Sequence, residues 1–321
     1  MDDLINEKYK PKIIDEFYIN NNNKKNLIKF FLKKQNLKLL IIGNICSGKT
    51  TFINLLINEY FEFDNELKKN NLLYISSLKD NGINFFRNDI KIFCQSNKLS
   101  SKKKLIVIDD LENINDQCQY ILLGLINNFK SKINIIISVN NYQKILDGFL
   151  SHLYIVKLEY PDYNFLLKYT NNIIEKENIN IDSNLINKII INSNYSIKNI
   201  LNILEKFILY ENKITNENID NFLYFISDNV FYLFTSYCID NNKEMAIIEI
   251  TNIYNSGYSL IDIYELYSNY IKNTQDFSNN IKFKIIEVLI SFIIKYYDIN
   301  ENIIDLYFFI NCLINSLNII I

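Results

Sequence analysis

The 321-residue sequence predicts an α/β domain built on a buried parallel sheet, followed by two helical domains. Three observations carry this reading. Four short β-branched or Leu-rich runs, residues 37–42, 72–76, 104–108 and 133–139, alternate with longer segments of helical period, as parallel strands and their crossover helices do. Pro161 disfavours helix at the residue before it, which ends the first domain near Tyr160. From Asp162 onward the apolar residues recur only at helical spacing.

In chain order, residues 1–161 form the α/β domain, residues 162–227 a small helical domain and residues 228–321 a helical bundle. Leu185, Ile189 and Ile190, then Ile200, Leu201, Leu204, Phe207 and Ile208, mark apolar stripes of the middle domain. After Ser227 come five amphipathic stretches, broken at 239–242, around Gly257, at 273–277 and at 299–302. A single core rarely grows past about 250 residues, so a chain of this length divides.

Hydrophobic residues make up 49% and charged residues 22%, the balance of a globular chain rather than a disordered one. The excess of Asn, Ile, Lys and Tyr runs through every segment and follows AT-rich coding, so the rare residues carry more information: one Arg, Arg87, and six Gly. Residues 229–321 carry five Lys against ten Asp and Glu, which leaves the first 228 residues about three charges positive and points any polyanion there. Five scattered Cys and the lone His152 make neither a zinc site nor a disulfide framework. No signal peptide opens the sequence and no apolar run reaches about 18 residues, so an intracellular, soluble protein is expected, nuclear or cytoplasmic.

GNICSGKT, Gly43 to Thr50, fits GxxxxGK[ST] and lies between a predicted strand and a helix, the context of a P-loop. Gly43 and Gly48 let backbone N–H groups turn inward around phosphate, and the helix N-terminus adds its positive end. Asn44, Ile45, Cys46 and Ser47 line the loop, Lys49 reaches the outer phosphates, Thr50 offers its hydroxyl to Mg²⁺, and Thr51 follows it. The bland alternative is an ordinary strand–turn–helix. LIVIDDL, Leu105 to Leu111, ends an apolar strand in two carboxylates. Asp109 is placed to hold the metal and Asp110 to orient an attacking water, or the pair caps a turn.

On these and other segments the chain resembles the small subunits of replication factor C, AAA+ ATPases that load sliding clamps. EKYKPK, Glu7 to Lys12, resembles the family's EKYRPK, which implies that Tyr9, Lys10 and Pro11 lie near the adenine. SSLKDNGINFFRNDIKIF, Ser76 to Phe93, resembles ASDxRGIDVVRxxIKxF and sets Arg87 on the family's Arg. Arg87 and Lys91 become candidate DNA-phosphate contacts, with solvated helix charges as the alternative. Ile90 and Phe93 are candidates to dock the clamp, or form core. Asn140, ending the strand INIIISVN, aligns with the polar sensor of the terminal phosphate. SIKNILNIL, Ser196 to Leu204, resembles DMRRALNIL and sets Lys198 at the second sensor. NSGYSLIDI, Asn255 to Ile263, resembles the Gly-Tyr-Ser-x-x-Asp-Ile stretch of the ring-forming collar.

The resemblance implies a P-loop AAA+ domain, a helical lid and a helical collar, with ATP and Mg²⁺ as cofactors. It implies other loader subunits in a hetero-pentamer, a sliding clamp and primer–template DNA as partners. Three departures qualify it. The family's GPPGTGKT is GNICSGKT here, without the stiffening Pro. Asp110 stands for Glu, one methylene short, and a misplacement near 1 Å can cost about 100-fold in rate. The Ser-Arg-Cys triplet, whose Arg reaches the neighbour's ATP, is Ser151-His152-Leu153, so His152 occupies the position of the trans-acting finger without its fixed charge. A largely structural, weakly hydrolysing ring subunit is therefore a second reading, and another AAA+ initiator or helicase loader a third.

Overall fold

The computed structural model describes residues 4–76, 82–96, 102–182, 184–210, 213–215, 219, 222, 226, 228–297 and 301–318. Residues 77–81 of the segment that carries Arg87, residue 227 at the domain boundary and residues 298–300 beside the last bundle break lie outside them.

Five strands form one sheet: β1 (Lys38–Gly43), β2 (Leu72–Ser76), β3 (Lys104–Asp109), β4 (Ile133–Val139) and β5 (Tyr154–Leu158). Their order is β2-β3-β4-β1-β5, and every neighbouring pair is parallel. The four expected strands appear within a residue of their expected ends. The fifth has no counterpart among the expected runs. It is an edge strand paired to β1 alone, with Tyr154 and Ile155 partly exposed, and its short apolar run, Leu153 to Val156, is cut by Lys157.

Parallel strands must be covered on both faces, and two apolar clusters do so. Leu40, Ile106 and Ile137 face α5 (Ile90–Gln95) and α6 (Asp116–Asn128), while Leu39, Ile41 and Val107 face α2 (Asn22–Lys33) and α3 (Lys49–Tyr60). Further short helices are α1 (Ile5–Lys8), α4 (Asn65–Asn71) and α7 (Asp147–His152). The helices α8 (Tyr163–Lys176), α9 (Leu185–Asn192) and α10 (Ile197–Leu209) follow, as the helical spacing predicts. Abundant Asn has a structural use: Asn21, Asn115, Asn242 and Asn302 each cap a helix N-terminus through the side chain.

The chain divides into two compact units, residues 1–219 and 220–321. Among its described residues the second holds α11 (Asp228–Ile239), α12 (Lys243–Asn255), α13 (Leu260–Asn273), α14 (Asn279–Tyr296) and α15 (Ile303–Leu317), at the five expected stretches. The segment at Gly257 is a stop–start device. Gly257 at φ +96° follows α12, and Ser259 and Asp262 form a reciprocal capping box that starts α13. Leu260 and Ile263 then enter the core.

Candidate functional site

The site lies at the C-terminal edge of the sheet, where β1, β3 and β4 end side by side. The loop from Gly43 to Gly48 leaves β1 and enters α3, with Gly48 at φ +90° as N-cap. A side chain at Gly43 would meet Ser47 Oγ at 2.5 Å and the Leu158 carbonyl oxygen at 2.9 Å, so the turn admits only Gly there. Asn44, Ile45 and Cys46 are exposed and Thr51 is half-buried. The Ser47 N–H donates to the Asn44 carbonyl at 3.2 Å. Tyr160 Oη holds the Ile45 carbonyl at 2.7 Å, and Phe17 packs 4.9 Å from Phe52 beneath the loop.

Lys49 is only 7% exposed. Its ammonium donates to the carbonyls of Gly43 and Asn44, each at 2.9 Å, and to Asn140 Oδ1 at 2.5 Å. Burial pushes its pKa down, while Asp110, Glu112 and Asp109 pull the other way. Among the described residues no carboxylate lies within ion-pair distance of it. A desolvated cation that rests on neutral oxygens, beside a loop that excludes Cβ, suits a phosphate oxyanion.

Thr50 Oγ1 donates to Asp109 Oδ2 at 3.1 Å. Asp109 also accepts from Tyr74 Oη at 2.8 Å and from Ser138 Oγ. Thr50 and Asp109 thus offer two adjoining hard oxygen donors, which suits Mg²⁺, an ion that keeps water and phosphate ligands, better than a cation needing an all-protein cage. Among the described residues no cluster of three His, Cys, Asp or Glu could hold a metal.

Asp110 lies at φ +54°, with its N–H on Ser138 Oγ at 2.9 Å. Burial, then the nearby Asp109, raises its pKa. Asn140 Nδ2 reaches Asp110 Oδ1 at 3.4 Å. The residue sequence reasoning missed is Glu112. Its carboxylate accepts from the Asn140 N–H at 2.5 Å, from Asn140 Nδ2 and from the Asn141 N–H at 3.1 Å. Asn140 therefore turns its oxygen to the Lys49 ammonium and its NH₂ to two carboxylates, an orientation set by the network. The signal available was a third acid two residues past Asp110, on the turn Leu111–Asn113.

Other expected residues lie apart from this network. Tyr9 Oη donates to Glu177 Oε1 at 2.5 Å and its carbonyl accepts from Tyr169 Oη at 3.2 Å, which ties it to α8 and its C-terminal end; its pKa is pushed up to about 12, mainly by burial. Lys10 pairs with Glu7 at 3.4 Å, and Pro11 follows it. Lys198 is exposed in the first turn of α10 and, among the described residues, makes no hydrogen bond to the loop. His152 ends α7, half-buried. Arg87 and Lys91 are exposed, four positions apart. Ile90 is fully buried and Phe93 packs on the same core, so Ile90 does not offer a clamp-docking surface: the apolar face of this helix seals the sheet.

No family profile matches the chain. It is 25% identical over 283 residues to a protein of Acanthamoeba polyphaga mimivirus provisionally named as a replication factor C small subunit, covering 88% of each. It is 24% identical over 294 residues to the replication factor C small subunit of Thermoplasma acidophilum, covering 90% of each. With replication factor C subunit 3 of Saccharomyces cerevisiae it shares 26% over 227 residues, 70% of this chain and 64% of that one. The structure resembles the RuvB Holliday junction branch migration motor of Thermotoga maritima at a TM-score of 0.52 and 14% identity, over 71% of this chain and 78% of that one. The fold is thus that of P-loop AAA+ proteins, and over most of its length the sequence is similar to replication factor C small subunits.

Proposed function

We propose that the chain is a clamp-loader subunit that binds ATP with Mg²⁺ and helps to place a sliding clamp on primer–template DNA where DNA is replicated. One observation carries it: the buried Lys49 ammonium waits on neutral oxygens at the mouth of a Gly-bounded loop, in a chain similar to clamp-loader subunits over most of its length. When bound, ATP supplies a polyanion with a cleavable terminal phosphate, and Mg²⁺ offsets part of its charge. Gly43 to Gly48 and Lys49 hold the phosphates, Thr50 and Asp109 the metal, and Tyr9, Lys10, Pro11 and Lys198 border the nucleotide. Asp110 orients water and Asn140 senses the terminal phosphate. Residues 1–161 act as the nucleotide domain, 162–227 as the lid and 228–321 as the ring-forming collar.

Affinity purification of the full chain from cells that carry it, followed by mass spectrometry, is expected to recover other P-loop subunits together with a ring-forming clamp. Recovery of the chain alone would count against a loader. A second reading, a ring subunit that hydrolyses little, is favoured by the short Asp110 and by His152 at the finger position.

Glu112 acts as a positioning residue for Asn140. A charged hydrogen bond is worth about 1.5–3 kcal/mol, on the order of 10- to 100-fold in an equilibrium or rate. In the assembled complex, Glu112→Ala and Asn140→Ala are each expected to slow single-turnover hydrolysis at least about tenfold with little change in nucleotide affinity. The double variant should cost no more than either single one, and additive losses would show that the two side chains act separately.

A further inference from the structure

The opposite edge of the sheet carries a second feature. Where strands begin and helices end, a shallow, open hollow of about 740 Å³ lies on the surface. Four lysines from four segments line it: Lys34 after α2, Lys38 at the start of β1, Lys103 before β3 and Lys130 after α6. Parallel topology gathers them, because every strand enters the sheet from this edge. Among the described residues no carboxylate lines the hollow. Among the described residues none of the four ammonium groups makes a hydrogen bond or ion pair.

That is not the fate of every lysine in this lysine-rich chain. Lys102 and Lys104, on either side of Lys103, are both satisfied: the first by Glu62 at 2.7 Å and the Tyr60 carbonyl at 2.8 Å, the second by the Phe93 carbonyl at 2.7 Å. Lys38 is half-buried, and burial, then Lys130 and Lys103, lower its pKa, so these like charges feel one another without a counter-ion. Beside them Phe30 is 52% exposed, with the Lys34 ammonium 5.8 Å from its ring centre. The next residue, Phe31, packs its ring on Tyr154 at 5.2 Å and meets Phe30 edge-on at 6.2 Å, which leaves Phe30 half exposed.

We propose that this hollow binds a nucleotide unit of single-stranded nucleic acid, with its phosphates on Lys34, Lys38, Lys103 and Lys130 and a base against Phe30. Unpaired cations beside an exposed aromatic face are the two parts by which single strands are held without sequence preference. The proposal is independent of the P-loop reading.

The test uses the full chain carrying Lys49→Ala, Arg87→Ala, Lys91→Ala and Lys198→Ala, which removes the lysine of the loop, the second-sensor lysine and the other candidate DNA-phosphate contacts. Fluorescence anisotropy of a short labelled oligothymidylate is followed across salt. Adding Lys38→Gln, Lys103→Gln and Lys130→Gln is expected to weaken binding at least about tenfold and to reduce the salt slope by roughly 0.7 for each phosphate that no longer meets a lysine. Phe30→Ala is expected to weaken binding at least about fivefold with an unchanged slope, since base–aromatic stacking is worth about 1–3 kcal/mol. An undetectable affinity in the parent variant, or an unchanged slope in the lysine variant, overturns the proposal. So does a Phe30→Ala variant that binds like its parent, which would mean an unspecific anion site. Displacement of the oligonucleotide by an equal nucleotide concentration of free ATP would assign the hollow to a free nucleotide instead.

Discussion

Replacing Lys49 by Ala is expected to weaken nucleotide binding by roughly 30- to 1000-fold, about 2–4 kcal/mol. That range follows from a unit charge near 4 Å from phosphate at an effective dielectric of about 20, reduced because the ammonium leaves its carbonyl partners on binding. Lys49 donates to Gly43, Asn44 and Asn140, so its loss also frees the Asn140 side-chain oxygen. Isothermal titration calorimetry with ATP and Mg²⁺, on wild type and on Lys49→Ala of equal helicity, checks it. Equal affinities would remove Gly43 to Thr50 from the nucleotide site.

Phe309→Ala is expected to destabilise the C-terminal unit by about 3–5 kcal/mol, the cost of truncating a buried Phe. Phe309 is fully buried in α15, and its ring lies 5.0 Å from Tyr264, 5.4 Å from Phe292, 6.3 Å from Tyr267 and 6.4 Å from Phe234. Four aromatic partners from α11, α13 and α14 converge on one ring, so the cavity cannot be filled by a single neighbour's shift. Circular dichroism in urea should show the transition of the variant at lower denaturant. Its neighbour Phe308, 59% exposed, serves as control, and Phe308→Ala should stay within about 0.5 kcal/mol. Similar midpoints for the two variants would refute the packing account.

Much of the fold is legible in the sequence because its causes are local. The buried strands announce themselves as short, mostly apolar runs, since both faces of a parallel sheet are covered. The bundle helices end where Asn, Gly or a capping Ser interrupts the period, as at Gly257 and Ser259. β5 is harder to read, because its apolar run, Leu153 to Val156, begins directly after α7 and stops at Lys157, and a run of four at a helix end is not separated from the helix by periodicity alone. The sequence offers both docking surface and core for Ile90, since periodicity reveals an apolar helix face but not what covers it; packing decides for core.

The sequence alone therefore determined the strand–loop–helix of Gly43 to Thr50, where Gly at fixed offsets is a backbone requirement, and the acidic end of β3. Only the tertiary structure decided what those groups face. Asn140 meets Glu112 and Asp110 because β3 and β4 pair in register, with Ile108 opposite Ile137, a relation between residues about thirty positions apart. The four lysines of the opposite hollow are separated by up to 96 positions and carry no shared spacing, so nothing in the chain's order joins them. Sheet register and crossover topology bring such groups together, and both are settled by burying apolar faces far from the polar atoms they align.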